Sequence, residues 1–163
     1  GYDSELGNVL SRANRKLQYE LGNVDNYITG IMLRINENKV EYVNAAHPEL
    51  LIKTKNGIDI KLNSEGESIS SFFLGINGLS LPFETLEFEV ESGDEILLYT
   101  DSLVESKILN KVYGLDNLKN SFKNANTKSA KETLAIIKED FYSFIKEKDS
   151  LRDDLTIIVL RKR

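Results

Sequence analysis

Ser92-Gly93-Asp94-Glu95-Ile96-Leu97-Leu98-Tyr99-Thr100-Asp101 is the stretch on which the fold turns. Ser, Gly and Asp at its start are turn residues, because they tolerate positive φ or hydrogen-bond their own backbone. Glu95–Thr100 carries an unbroken apolar run, Ile96–Tyr99. A run without polar alternation suits a strand covered on both faces, which predicts a central position in a sheet. The strand closes on a carboxylate, Asp101.

Upstream of it the chain reads as strands. Thr85–Val90 places Leu86, Phe88 and Val90 in alternation with Glu87 and Glu89, the period-2 pattern of a half-buried strand. Tyr27–Arg34 and Val40–Asn44 read as a pair joined by Asn36-Glu37-Asn38, and Glu49–Thr54 as a further strand. Asn56-Gly57 is a hairpin signal, since both residues accept positive φ, and Ile58, Ile60 and Leu62 alternate after it. Residues 63–71 are polar and read as a loop, and Phe72–Ile76 leads on from it. Before these strands, Leu6, Val9, Leu10, Ala13 and Leu17 recur at helical spacing, with Ser4 as cap and Gly22 as stop. Downstream, Leu115–Phe122 predicts a short helix and Ser129–Glu147 a long one, with Leu134, Ile137, Phe141, Phe144 and Ile145 on one stripe. Leu155–Leu160 is a returning β-branched strand. Helix, antiparallel-type strands, helices, one strand: this order predicts an α+β layered fold rather than a βαβ one.

Composition narrows the function. The 163 residues are 40% hydrophobic and 29% charged, which suits a single folded domain with a core. The absence of Cys excludes disulfides and thiolate zinc sites. A net charge of −5 disfavours general nucleic-acid binding, and Arg161-Lys162-Arg163 is too short to reverse it. Neither a signal-type apolar run at the start nor a stretch near the ~20 apolar residues of a membrane helix occurs, so no membrane contact and a cytoplasmic location are expected.

Two acidic sites are the candidates for chemistry. Asp101 ends the central strand, and Asp153-Asp154 precedes the returning one. If the two strands are antiparallel neighbours, Asp101 and Asp153 converge at one end of the sheet. Converging carboxylates repel unless a cation lies between them, and hard oxygen ligands suit Mg²⁺ or Mn²⁺. The alternative is that both sites are turn or cap residues. His47 is the single histidine, so zinc is implausible. Before Pro48 it reads as a turn residue making structural hydrogen bonds, with a general-acid role as the other option. No Gly-rich phosphate loop and no G-x-S-x-G serine is present.

Four segments in order carry a family resemblance: Tyr42-Val43-Asn44-Ala45-Ala46-His47-Pro48, Phe73-Leu74-Gly75-Ile76, the Ser92–Asp101 stretch, and Asp153-Asp154-Leu155-Thr156. The series resembles the SpoIIE-type, RsbU-like bacterial serine phosphatases of the metal-dependent 2C-type superfamily, which read "YvNAGH-PP", "lpLG", "l-pGD-l-lYTDGv-Ea" and "DD-T". The resemblance implies two packed antiparallel sheets flanked by helices. It implies removal of phosphate from phosphoserine or phosphothreonine on a protein, by water bridging two Mn²⁺ or Mg²⁺ ions. Asp101 then matches the metal ligand of "TDG" and Asp153 that of "DD-T", with Asp154 as a supporting neighbour. The implied substrate is a phosphorylated anti-sigma-factor antagonist, in a signalling role.

Three departures accompany the resemblance. The family's opening strands, with their "GGD-yD" and "D--GHG" acids, have no match here. The chain thus resembles the C-terminal two-thirds of the domain with the N-terminal strands missing. Little or no activity is expected of it alone, and unpaired edges would favour a homodimer. Ser102 stands where the family has Gly, a residue free to take positive φ. Ala46 replaces the Gly of "AGH". A catalytically inactive module that binds a phosphoprotein or regulatory partner is the alternative function.

Overall fold

In a computed structural model of the chain, residues 5–21, 27–63, 65–146 and 153–163 are described. Ser4 and Gly22, read above as cap and stop, lie outside these residues. The fold is α+β, with antiparallel sheets and helices, and it falls into two compact units: residues 1–49 with 61–89, and residues 50–60 with 90–163.

The first unit contains helix α1 (Leu6–Leu21) and strands β1 (Gly30–Asn36), β2 (Lys39–Ala45) and β5 (Leu86–Glu89), paired in the order β1-β2-β5. The β1–β2 hairpin turns at Glu37-Asn38, with Glu37 at φ 52. Tyr27–Thr29 contribute one bridge, Ile28 to Leu74, rather than a continuous strand. Leu6 and Leu10 of α1 pack with Val43, Ala45, Leu74 and Phe83. The close approach depends on Gly7: a Cβ there would lie 2.0 Å from the Phe83 carbonyl oxygen. The Gly7 N–H meanwhile donates to Thr85 Oγ1 at 2.7 Å.

Across β1 and β2, Arg34 sits opposite Glu41 and grips its carboxylate with Nε and NH2. This fork holds the Glu41 carboxyl below its usual 4.5. A group with a lowered folded pKa stabilises above the unfolded pKa and loses that contribution as pH falls through the folded value. Acid should therefore lower Tm more steeply below about pH 4.5 in the native chain than in Glu41→Gln, as pH-dependent thermal melts would read.

The second unit contains β3 (Leu51–Thr54), β4 (Gly57–Asp59), β6 (Glu95–Tyr99) and β9 (Ile157–Arg161), in the order β4-β3-β6-β9. The expected central strand is internal, and Ile96, Leu97 and Tyr99 are buried. The strand read over Ile58–Leu62 ends at Asp59, and the returning strand begins at Ile157 rather than Leu155. Helices α3 (Gly114–Asn124) and α4 (Ala130–Ile145) pack together, α3 against β3 and β4, and α4 against β9. Ser129 caps α4, accepting the Glu132 N–H. Leu97, Leu118, Phe122, Ile137 and Phe141 are fully buried in this unit's core. Helix α2 (Ser102–Glu105) and a small hairpin, β7 (Lys107–Ile108) with β8 (Lys111–Val112), follow β6.

Candidate functional site

The site begins with the β6–β9 register. The strands are antiparallel, Tyr99 opposite Ile157, so the exit of β6 lies beside the entry of β9. The pairing continues one step: the Thr100 N–H donates to the Thr156 carbonyl at 3.1 Å, and the Thr156 N–H donates to Thr100 Oγ1 at 3.0 Å. The chain then turns into α2, with Asp101 as cap, its Oδ1 accepting the Ser102 N–H at 2.8 Å. On the facing segment, Asp153 Oδ1 accepts the Asp154 N–H at 2.8 Å. Both aspartates are exposed, as is Asp154.

Two hydroxyls tie the segments together. Ser102 Oγ donates to the Asp154 carbonyl at 2.5 Å, and Thr100 Oγ1 donates to the same oxygen at 3.2 Å. The structure thus brings Asp101, Ser102, Asp153 and Asp154 to one end of the sheet. Ser102 is not in a left-handed conformation; it opens α2, and the four non-glycine residues at positive φ among those described are Glu37, Ala46, Leu109 and Lys146. Ser102 therefore fits without backbone strain and acts as a tether. Thr100 is the residue that the sequence reading passed over. Its signal was position alone, one residue before the strand-ending carboxylate.

His47 belongs to the first unit. Its N–H donates to Asn44 Oδ1 at 2.8 Å, and its carbonyl accepts from Asn44 Nδ2 at 2.9 Å. Its Nδ1 lies 3.0 Å from Thr29 Oγ1. Asn44 Nδ2 also reaches the Tyr42 hydroxyl, which donates to Glu49 at 2.6 Å. These are the structural hydrogen bonds expected of a turn. Ala46, between them, sits at φ 52, a left-handed conformation that favours glycine. Ala46→Gly should accordingly stabilise the chain by about 0.5–1 kcal/mol, seen as a Tm rise of about 2 °C.

The aspartates are acceptor-only oxygen donors, the right type for Mg²⁺ or Mn²⁺. Their number does not make a two-ion centre. Among the described residues, no group of three or more His, Asp or Glu side chains is placed to hold a metal ion. No described helix is long and apolar enough to cross a membrane.

The family model for stage II sporulation protein E (SpoIIE) matches residues 2–163. The chain belongs to the SpoIIE family. Its fold is that of 2C-type phosphatase domains. The manganese-presoaked phosphatase domain of SpoIIE from Bacillus subtilis superposes with TM-score 0.62 at 15% identity, over 93% of this chain and 72% of that one. The SiaA-PP2C domain of Pseudomonas aeruginosa gives TM-score 0.79 at 11% identity, over 96% and 61%. The RsbU and RsbW domains of Rv1364c from Mycobacterium tuberculosis give 0.73 at 16%, over 99% and 43%. The SpoIIE-family chain described here therefore spans between 43% and 72% of the length of these structures. No curated protein matches the sequence.

Proposed function

We propose that this chain is part of a metal-dependent protein serine/threonine phosphatase domain in a cytoplasmic bacterial signalling protein. Its substrate class is a phosphorylated protein of the anti-sigma-factor-antagonist type, and its reaction is hydrolysis of phosphoserine. The observation that carries the reading is the double tether of the Asp154 carbonyl to Ser102 and Thr100. Two strand ends held this way present Asp101 and Asp153 together, and a family match over nearly the whole chain supplies the chemical class. In the complete domain, two Mn²⁺ or Mg²⁺ ions would supply an activated water. The contribution of this chain is two carboxylates, Asp101 and Asp153, with Asp154, Ser102 and Thr100 fixing their backbone. The remaining ligands would come from sequence outside these residues, and the chain alone should hydrolyse little or no p-nitrophenyl phosphate.

A second reading, a silent phosphatase-like module that binds a phosphoprotein, is favoured by a donor set of two exposed aspartates among the described residues, fewer than a two-ion centre needs. Phosphate release from a phosphoserine protein by the full-length protein separates the two. Release that rises with Mn²⁺ and stops with EDTA supports the enzyme, whereas no release at any Mn²⁺ concentration supports the module.

A further inference from the structure

The far end of β6 holds a charged cluster that the phosphatase reading does not use. Glu95, the first residue of the strand, is fully buried. Lys53 on β3 and Arg161 on β9 are its register neighbours on either side. Lys53 Nζ reaches its carboxylate at 2.6 Å and Arg161 NH1 at 3.0 Å, and the Thr133 hydroxyl donates to it at 2.9 Å. Lys53 also donates to the carbonyls of Phe122 and Ala125, at 3.2 and 2.8 Å, at the end of α3. Lys53 is thus fully engaged. Arg161 is not: among the described residues one of its N–H groups bonds Glu95, and the guanidinium carries five donors.

Both cations line a cleft of 490 Å³ that also receives Lys55 and Lys123. Two acids share the lining. Glu91 is paired with Lys55 at 3.0 Å, and Asp94 accepts the Glu91 N–H at 2.8 Å to close its own turn. Four cations thus face three carboxylates, Glu95 included, in a chain whose net charge is −5. A positive surplus beside a buried ion cluster, with an arginine fork still offering donors, is the chemistry that captures an oxyanion. The cleft lies about 20 Å from Asp101 along the strand, six residues at ~3.3 Å each.

We propose that this cleft is a second, non-catalytic site for a phosphate group, held by Arg161 and Lys123. The group arrives either as free phosphate or on a phosphorylated side chain.

Isothermal titration of the full-length protein in EDTA, with sodium phosphate and separately with phosphoserine at matched ionic strength, tests this. Saturable one-to-one binding is expected, weakened about tenfold by Lys123→Gln and by Arg161→Gln. Lys123 is exposed and does not touch Glu95, so Lys123→Gln reports on binding even if Arg161→Gln fails to fold. Tighter binding of phosphoserine identifies a phosphorylated side chain as the occupant, and tighter binding of phosphate identifies the free ion. Absence of saturable binding, or affinities unchanged in Lys123→Gln, overturns the proposal.

Discussion

Glu95→Ala should cost about 3–5 kcal/mol of folding stability. The carboxylate is fully buried and answers two cations from flanking strands. Removing it leaves Lys53 and Arg161 facing each other across β6 with no negative charge between them, and takes one of the Thr133 hydroxyl's partners, leaving it the Thr127 hydroxyl. Losing one partner of a buried ion pair is far more damaging than replacing the whole pair, because the desolvated charge left behind has nothing to offset it. A conservative Glu95→Gln keeps the shape and a hydrogen-bond acceptor for Thr133 but still loses the charge, so it should fall between native and Glu95→Ala. By contrast Lys55→Ala, which breaks the exposed pair with Glu91, should change stability by less than about 1 kcal/mol. Urea unfolding of the three variants, with unchanged slopes, checks the order.

Asp101→Asn and Asp153→Asn should each lower the phosphatase rate of the full-length protein on the order of 10²–10³-fold. Asn keeps the side chain's shape and its capping oxygen. The Ser102 and Asp154 amides therefore stay satisfied and the fold is preserved, while the negative charge that a divalent cation requires is removed. Thermal stability close to native, with activity lost, separates this outcome from unfolding. If either variant keeps native activity, that aspartate is a cap and nothing more.

The strand that organises the second unit was legible because burial on both faces leaves an unbroken apolar run, and Ile96–Tyr99 has one. The β1–β2 hairpin was legible because its polar turn interrupts two runs of apolar character. Helix α2 and the β7–β8 hairpin were not. Four residues and two-residue strands are too short to display a period, and Leu109, at the hairpin tip, is 95% exposed where its apolar character suggested nothing of a turn. Glu95 reads in the sequence as the polar edge of a strand. Its burial arises from Lys53 and Arg161, which reach it only through the register of three strands, and no local pattern carries that information. That Asp101 and Asp153 lie at one end of the sheet followed from supposing β6 and β9 to be antiparallel neighbours, and the Tyr99–Ile157 register supports that step. The tethers through Thr100 and Ser102 were out of reach, because a hydroxyl's partner depends on the turn geometry beyond the last paired residue. That Ser102 sits in place of the family's Gly without backbone strain was hidden for the same reason: the chain enters a helix there.

In the proposed function, Asp101 and Asp153 serve one shared metal centre. Mn²⁺ binding by the full-length protein, measured calorimetrically for the native form, Asp101→Asn, Asp153→Asn and the double variant, tests it most directly. A shared ion predicts that each single substitution weakens binding at least tenfold and that the double variant loses much less than the sum of the two effects. Native affinity in both single variants, or losses that simply add, would contradict it.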